Sequence, residues 1–184
     1  MPRPILFANT LLAVIVISGI LLVNFFPGTL GKKDKPLYGE GDFTLDMYGW
    51  RKFVPDFSKI VETDIKAGLM KPDAVIISNK WFPAAHTDFY VAMPLKKDLV
   101  AIGDTNDIHQ YAWINTQRKT LQTGDDAYCI VPSNYYTDVQ STYAAYFKTI
   151  LPPQIIEQKR NGTVCRYFYI WRLQHFITKQ NPLL

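Results

Sequence analysis

DAVIISNKWFPAAHTDFYVA, residues 73–92, decides the fold. Its first part, DAVIISNK (73–80), is an apolar, β-branched run bounded by Pro72 and Asn79, the pattern of a short buried strand. From Lys80 onward the pattern becomes helical. Pro83 falls in a first turn, where its missing N–H costs little, and Ala85, Phe89 and Ala92 share one face with Tyr90 beside it. A strand running straight into a helix is half of a βαβ unit.

The same order repeats downstream. DLVAIGD (98–104) reads as a second buried strand, and DIHQYAWINTQRKTLQTG (107–124) as a helix, or a helix with a loop, closed by Gly124. DAYCIVPSN (126–134) reads as a third strand, followed by a helix over TDVQSTYAAYFKTI (137–150) with an Asp or Thr cap. PQIIEQKRNGTVCRYFYIWRL (153–173) is two strands joined at Asn161-Gly162, a strong hairpin signal. Upstream, Trp50, Phe53, Val54, Phe57, Ile60, Val61 and Ile65 recur at helical spacing and predict an amphipathic helix ending near Gly68. Pro55 kinks it, breaks it or begins a second helix. The expected architecture is α/β: a mainly parallel, three-layer sheet with a C-terminal antiparallel hairpin, preceded by one transmembrane helix.

The transmembrane expectation comes from a sharp change in composition near residue 27. Pro4 to Phe26 carries no charged residue, and its centre reads LLAVIVISGILLV. At 1.5 Å per residue these positions span roughly 34 Å, enough to cross a bilayer. A signal peptide is the rival, favoured by position and by Arg3. Against it, the apolar run is longer than a usual signal core and NFFPGTLG offers no A-x-A-like cleavage site. Three parts are therefore expected: a transmembrane helix over 1–27, a Gly- and Lys-rich linker over 28–45, and a folded domain over 46–184. Lys32, Lys33 and Lys35 follow the span while Arg3 precedes it, so charge counting alone places the domain in the cytoplasm.

The whole chain has 184 residues, 48% hydrophobic and 14% aromatic, enough for one modest core. Its formal net charge of +4 is scattered, with no arginine-rich face, which argues against nucleic acid. Cys129 and Cys165 both lie in apolar strand-like runs and read as two small buried side chains. A disulfide between them requires that the two strands be neighbours. No C-x-x-C metal spacing occurs.

Chemistry-bearing signals are sparse. No phosphate loop, nucleophile elbow or zinc signature appears. The GDTND turn (103–107) follows the second strand, at the carboxyl edge where open α/β sheets bind ligands. Asp104, Asp107 and His109, with His86 and Asp88 from the preceding helix, are candidates for a hard-metal site or for acid–base work. The competing reading is that the acids cap helices and the histidines satisfy neighbouring backbone. Trp81, Phe82, Phe89, Tyr90, Tyr111 and Trp113 are candidates for stacking on sugar rings, or core aromatics at helical spacing. Asn161-Gly162-Thr163 matches a glycosylation sequon, although its turn role already explains it.

In their order along the chain, several motifs look familiar. An Asn-Lys-aromatic start, A-A-H-x-D-F-Y-V, a strand ending in Gly-Asp, D-I-H-Q-Y-A-W and G-D-D-A-Y-x-I together resemble the family 39 glycosyltransferases. These are bacterial relatives of protein O-mannosyltransferases and of the lipid A aminoarabinose transferase. The resemblance covers about residues 46–175, most like the Bacteroidetes-type members, and makes residues 4–26 the last transmembrane helix. It implies a multi-span inner-membrane enzyme that moves a sugar from a polyprenyl-phosphate carrier to a lipid or protein acceptor, with the soluble domain facing the periplasm.

In that family the catalytic acid lies in the first extracytoplasmic loop, which has no counterpart in this sequence. The resemblance thus implies an accessory domain with no catalytic residue of its own, no metal and no cofactor, working with an upstream transmembrane domain. Lys80, Trp81, His86, Asp88, His109, Tyr111 and Trp113 are then the candidate contacts to substrate or lipid headgroup, with basic groups meeting a phosphate. The alternative is a single-span, membrane-anchored module that binds a glycan or a protein. An independent small α/β enzyme ranks last, for want of a catalytic set.

Overall fold

The computed structural model describes residues 2–28 and 30–177. Helix α1 (Arg3–Phe25) has no buried residue, and its 23-residue length, with an 18-residue window of mean hydropathy 2.6, makes it long and apolar enough to cross a membrane. After the intervening segment, α2 (Trp50–Lys66) runs uninterrupted through Pro55 and buries Trp50, Phe53, Phe57, Ile60 and Val61. Strand β1 (Val75–Ser78) leads into α3 (Trp81–Thr87), whose last turn widens into a π-turn at Asp88–Ala92. Then come β2 (Leu99–Ala101), the short helices α4 (Thr105–Ile108) and α5 (Tyr111–Ile114), β3 (Ala127–Pro132), α6 (Val139–Tyr143), β4 (Phe147–Arg160) and β5 (Thr163–Phe176).

The sheet order is β2-β1-β3-β5-β4. β1 pairs in parallel with β2 and β3, whereas β5 is antiparallel to both β3 and β4. The sheet is therefore mixed, and the expectation of a mainly parallel sheet is corrected. The hairpin is no edge ornament. Its strands are 14 residues each against 3 to 6 for the parallel ones, and β5 sits inside the sheet. Strand period explains why one sheet serves two cores. Ile76, Tyr128, Ile130, Phe168 and Ile170 face α2 and α3. Val75, Ile77, Cys129, Val131, Tyr169 and Trp171 face the other way, under Val139 and Tyr143 of α6.

Three local expectations change for tertiary reasons. The helix expected over 107–124 breaks at His109, whose φ of 48° separates α4 from α5. The chain then bends round the sheet edge, where the Asn115 amide accepts from Ala101 N–H (3.0 Å) and donates to Ala101 O (2.7 Å). That side chain pairs with the β2 edge as a further strand would. The helix expected over 137–150 is only α6, because from Phe147 onward the backbone pairs with β5. Finally, Ala85 and Phe89 look to solvent, while Ala84, His86, Thr87 and Asp88 point inward.

Both cysteines are buried and unpaired. Their strands are neighbours, but Cys129 is in register with Trp171, six positions from Cys165 along β5. At about 3.3 Å per residue that is roughly 20 Å, far beyond disulfide reach.

The segment between α1 and α2 is packed rather than extended. Tyr38 sits edge-on to Tyr167 at 5.4 Å and donates to Val164 O (3.2 Å), and Lys35 lies 4.2 Å over the Tyr167 ring. Lys32 pairs with Glu40.

Candidate functional site

The residues singled out in the sequence disperse to three places. His86, Asp88 and Tyr111 enter the core. The His86 ring is sandwiched between Trp50 (5.2 Å, 11° between planes) and Tyr90 (6.0 Å), with Phe82 edge-on at 4.7 Å. Burial, then the nearby Arg166 charge, holds its pKa below the ordinary 6.5, so the imidazole is neutral at pH 7. Because the folded pKa lies below the unfolded one, the stabilising contribution is complete above pH 6.5 and is lost as pH falls through the folded value. His86→Phe is expected to flatten the decline in stability below pH 6.5, measured by urea unfolding across that range; an unchanged decline refutes the assignment.

Asp88 accepts from Arg118 Nη2 (2.8 Å) and from the Tyr111 hydroxyl (3.3 Å). Burial pushes the Asp88 carboxyl up against the opposing pull of Arg118, and the same burial raises the Tyr111 hydroxyl. This cluster holds the π-turn against α5 and has no solvent-facing reactant. Asp104 caps α4 by accepting from Asn106 N–H at 2.8 Å. Among the described residues no three His, Cys, Asp or Glu side chains gather to hold a metal.

Trp81, His109 and Trp113 do come together. The Trp81 and His109 rings are 5.6 Å apart, and His109 and Trp113 line an open hollow of about 300 Å³ with Thr105, Gln110 and Ala112. Trp113 is 73% exposed. The hollow is apolar and lacks an acidic group.

Lys80 belongs to a more elaborate place. β1 and β3 are neighbours, yet the chain leaves β1 towards β2 and leaves β3 the other way, past β5 to β4 at the far edge. Between these diverging connections lies a cleft of about 330 Å³ lined by Lys80, Asn134, Tyr135, Tyr136 and the segment Glu40–Phe43 with Asp46. This is the topological switch point, the position where open α/β sheets leave a crevice. Tyr135 donates to Asp46 Oδ1 at 3.0 Å, and burial together with that carboxylate pushes its hydroxyl up to about 12, so it stays a donor at neutral pH. Asp42 is committed to its own turn, accepting from Thr44 N–H at 2.9 Å, and Glu40 to Lys32. Lys80 makes no ion pair among the described residues.

One buried cation organises the cleft wall. Arg166 is fully buried, its guanidinium over both the Trp50 ring (4.9 Å) and the Phe168 ring (4.5 Å), which themselves meet edge-on at 5.3 Å. Its fork donates to Gln158 Oε1 (3.0 and 2.7 Å), Leu45 O (3.0 Å), Asn134 Oδ1 (3.3 Å) and Tyr48 O (2.6 Å). Every one of these acceptors is uncharged, and burial draws the guanidinium down to about 10. Arg166 thereby ties β5 to the turn bearing Asp46 and to the turn bearing Tyr135.

Asp42, Asp46, Tyr135, Tyr136 and Arg166 were missed in the sequence. The signal for the tyrosines was present: NYY at 134–136 follows the third strand just as GDTND follows the second. Asp46 and Asp42 lie far from it in sequence, and nothing local marks them. No family model matches this chain, and no curated protein or solved structure matches it either, so its functional reading rests on the residues themselves.

Proposed function

We propose that this is a membrane-anchored domain whose strand-end cleft holds a glycan, and that it serves a membrane sugar-transfer enzyme by binding rather than by chemistry. The observation that carries the reading is the composition of the cleft at the β1/β3 switch point. An ammonium with no ion pair among the described residues (Lys80), a carboxylate already oriented by a phenol (Asp46 with Tyr135) and two aromatic rings (Phe43, Tyr136) line one small crevice. Adjacent sugar hydroxyls need just such a donor and acceptor pair, and a pyranose C–H face packs on an aromatic ring. Three carboxylates against one ammonium make the cleft a poorer home for a phosphate than for hydroxyls.

The likeness of the motif order to family 39 glycosyltransferases supports the wider setting. That setting is an inner-membrane enzyme with the domain facing the periplasm, a polyprenyl-phosphate sugar donor, a lipid or protein acceptor, and an upstream membrane domain bearing the catalytic acid. The alternative is a stand-alone, anchored glycan-binding module. The genomic reading frame immediately upstream separates the two, since only the first requires further apolar spans there.

The test uses the full chain in lipid nanodiscs, with saturation-transfer NMR against glucose, mannose, galactose and N-acetylglucosamine. At least one sugar is expected to bind. Asp46→Asn should weaken that binding about tenfold or more, the scale of a hydrogen bond to a charged group. Trp113→Ala, in the separate hollow, should leave it unchanged. Absence of binding to all four sugars, or full binding by Asp46→Asn, refutes the cleft as the site.

A further inference from the structure

Two large apolar side chains project into solvent from a rigid turn. Phe43 is 73% exposed and Met47 67%, yet Leu45 between them is fully buried. The backbone there is held from several sides. Asp42 caps it, Arg160 donates to Thr44 Oγ1 and Thr44 O (both 2.8 Å), and Arg166 donates to Leu45 O. A loose loop would let Phe43 fold back on the domain. This turn holds it outward, which is unfavourable in water unless another surface covers it.

Arg160 indicates which surface. The same Nη1 that reaches Thr44 Oγ1 also donates to Val23 O at 3.4 Å, in the last turn of α1. A helix roughly 34 Å long crosses a hydrocarbon layer of about 30 Å, so Val23 stands where acyl chains give way to headgroups. Thr44 is therefore at that level, and Phe43 and Met47 flank it. Arg160 lies 3.9 Å over the Tyr48 ring and Lys52 lies 5.6 Å over the same ring, a basic and aromatic setting of the kind that settles at membrane interfaces. The sheet agrees with this placement. The carboxyl end of β3, Pro132, pairs with Phe168, so the hairpin tip at Asn161-Gly162 projects beyond the carboxyl edge, and it is Arg160 beside that tip that meets α1.

We propose that Phe43 and Met47 insert into the headgroup–acyl boundary of the bilayer that α1 crosses, giving the domain a second, shallow membrane contact. The inference rests on the reading of α1 as a membrane anchor. Phe43 also lines the cleft, so the cleft opens at the membrane surface and meets glycans carried on lipids.

The experiment uses the full chain reconstituted in vesicles of equal parts phosphatidylcholine and phosphatidylglycerol. An environment-sensitive fluorophore is attached in turn to Phe43→Cys, Met47→Cys, Ser18→Cys and Lys148→Cys. The native thiols are buried and do not compete, and Lys148 lies at the far end of β4 from Arg160. Lipids spin-labelled near the headgroup end of the acyl chain quench the probe. Quenching at positions 43 and 47 is expected to exceed that at 148 by about fivefold or more, as burial roughly 5–10 Å into the boundary requires. Deep-labelled lipids should quench the probe at position 18. Quenching at 18 with none at 43 and 47 overturns the second contact and leaves the anchor standing. No quenching at 18 overturns the anchor, and this proposal with it. Both probed sites on the turn are exposed, so the substitutions leave the fold in place.

Discussion

Arg166→Leu is expected to destabilise the domain by about 4 kcal/mol, near the upper end for a single substitution. Each buried acceptor left without a donor costs about 1–3 kcal/mol, and Gln158 Oε1, Asn134 Oδ1, Leu45 O and Tyr48 O all lose one. Relief of a desolvated charge offsets part of that loss. The packing of the guanidinium against Trp50 and Phe168 is lost as well. Arg166→Lys should recover little, because an ammonium cannot present the planar fork that reaches acceptors on three segments at once. Urea unfolding of the full chain in detergent, followed by tryptophan fluorescence, measures both. A Leu variant within about 1 kcal/mol of wild type would show that the buried cation is incidental, since that is the scale of an ordinary surface change.

Asp64→Leu is the second large effect, expected at about 3–5 kcal/mol because it strands a buried partner. Asp64 is 3% exposed and accepts from Arg172 Nε (2.6 Å) and from the Tyr128 hydroxyl (3.1 Å), joining α2 to β5 and β3. Arg172 reaches on to Gln154 Oε1 at 2.9 Å on β4. Arg172→Leu alone should cost a similar amount. The double variant should be more stable than either single one, because two apolar side chains leave no uncompensated charge in the core. If the losses simply add, the pair does not act as a unit.

These two arginines show where sequence reading reaches its limit. Both lie in CRYFYIWRL, where the strand period of two puts Arg166 and Arg172 on one face with Phe168 and Ile170, and nothing in that window says what satisfies a charge there. Arg166 is tolerated in the core because segments more than a hundred residues upstream supply carbonyls. The same limit explains α3. Helical spacing places Ala85 and Phe89 together, but the buried face is the one that carries His86 and Asp88 beside Ala84 and Val91, since Asp88 finds Arg118 and His86 finds Trp50. Polar side chains enter a core when distant partners satisfy them, and no local window contains those partners. Local sequence left Trp81, His109 and Trp113 open between surface and core; the structure puts them on the surface, whereas the cleft draws on three separated stretches.

By itself the amino-acid order determined what depends on neighbours a few residues apart. It specified a charge-free span long enough for a bilayer, the α2 stripe, the strand cores of β1 to β3, and the Asn161-Gly162 turn, where both residues take the left-handed backbone that such turns require. Tertiary structure alone decided that β5 pairs with β3 and makes the sheet mixed, that the 137–150 helix gives way to a strand, and that Asp46 meets Tyr135 beside Lys80. Sheet pairing and charge burial are settled by the free energy of contacts between remote segments, and only the folded chain brings those segments together.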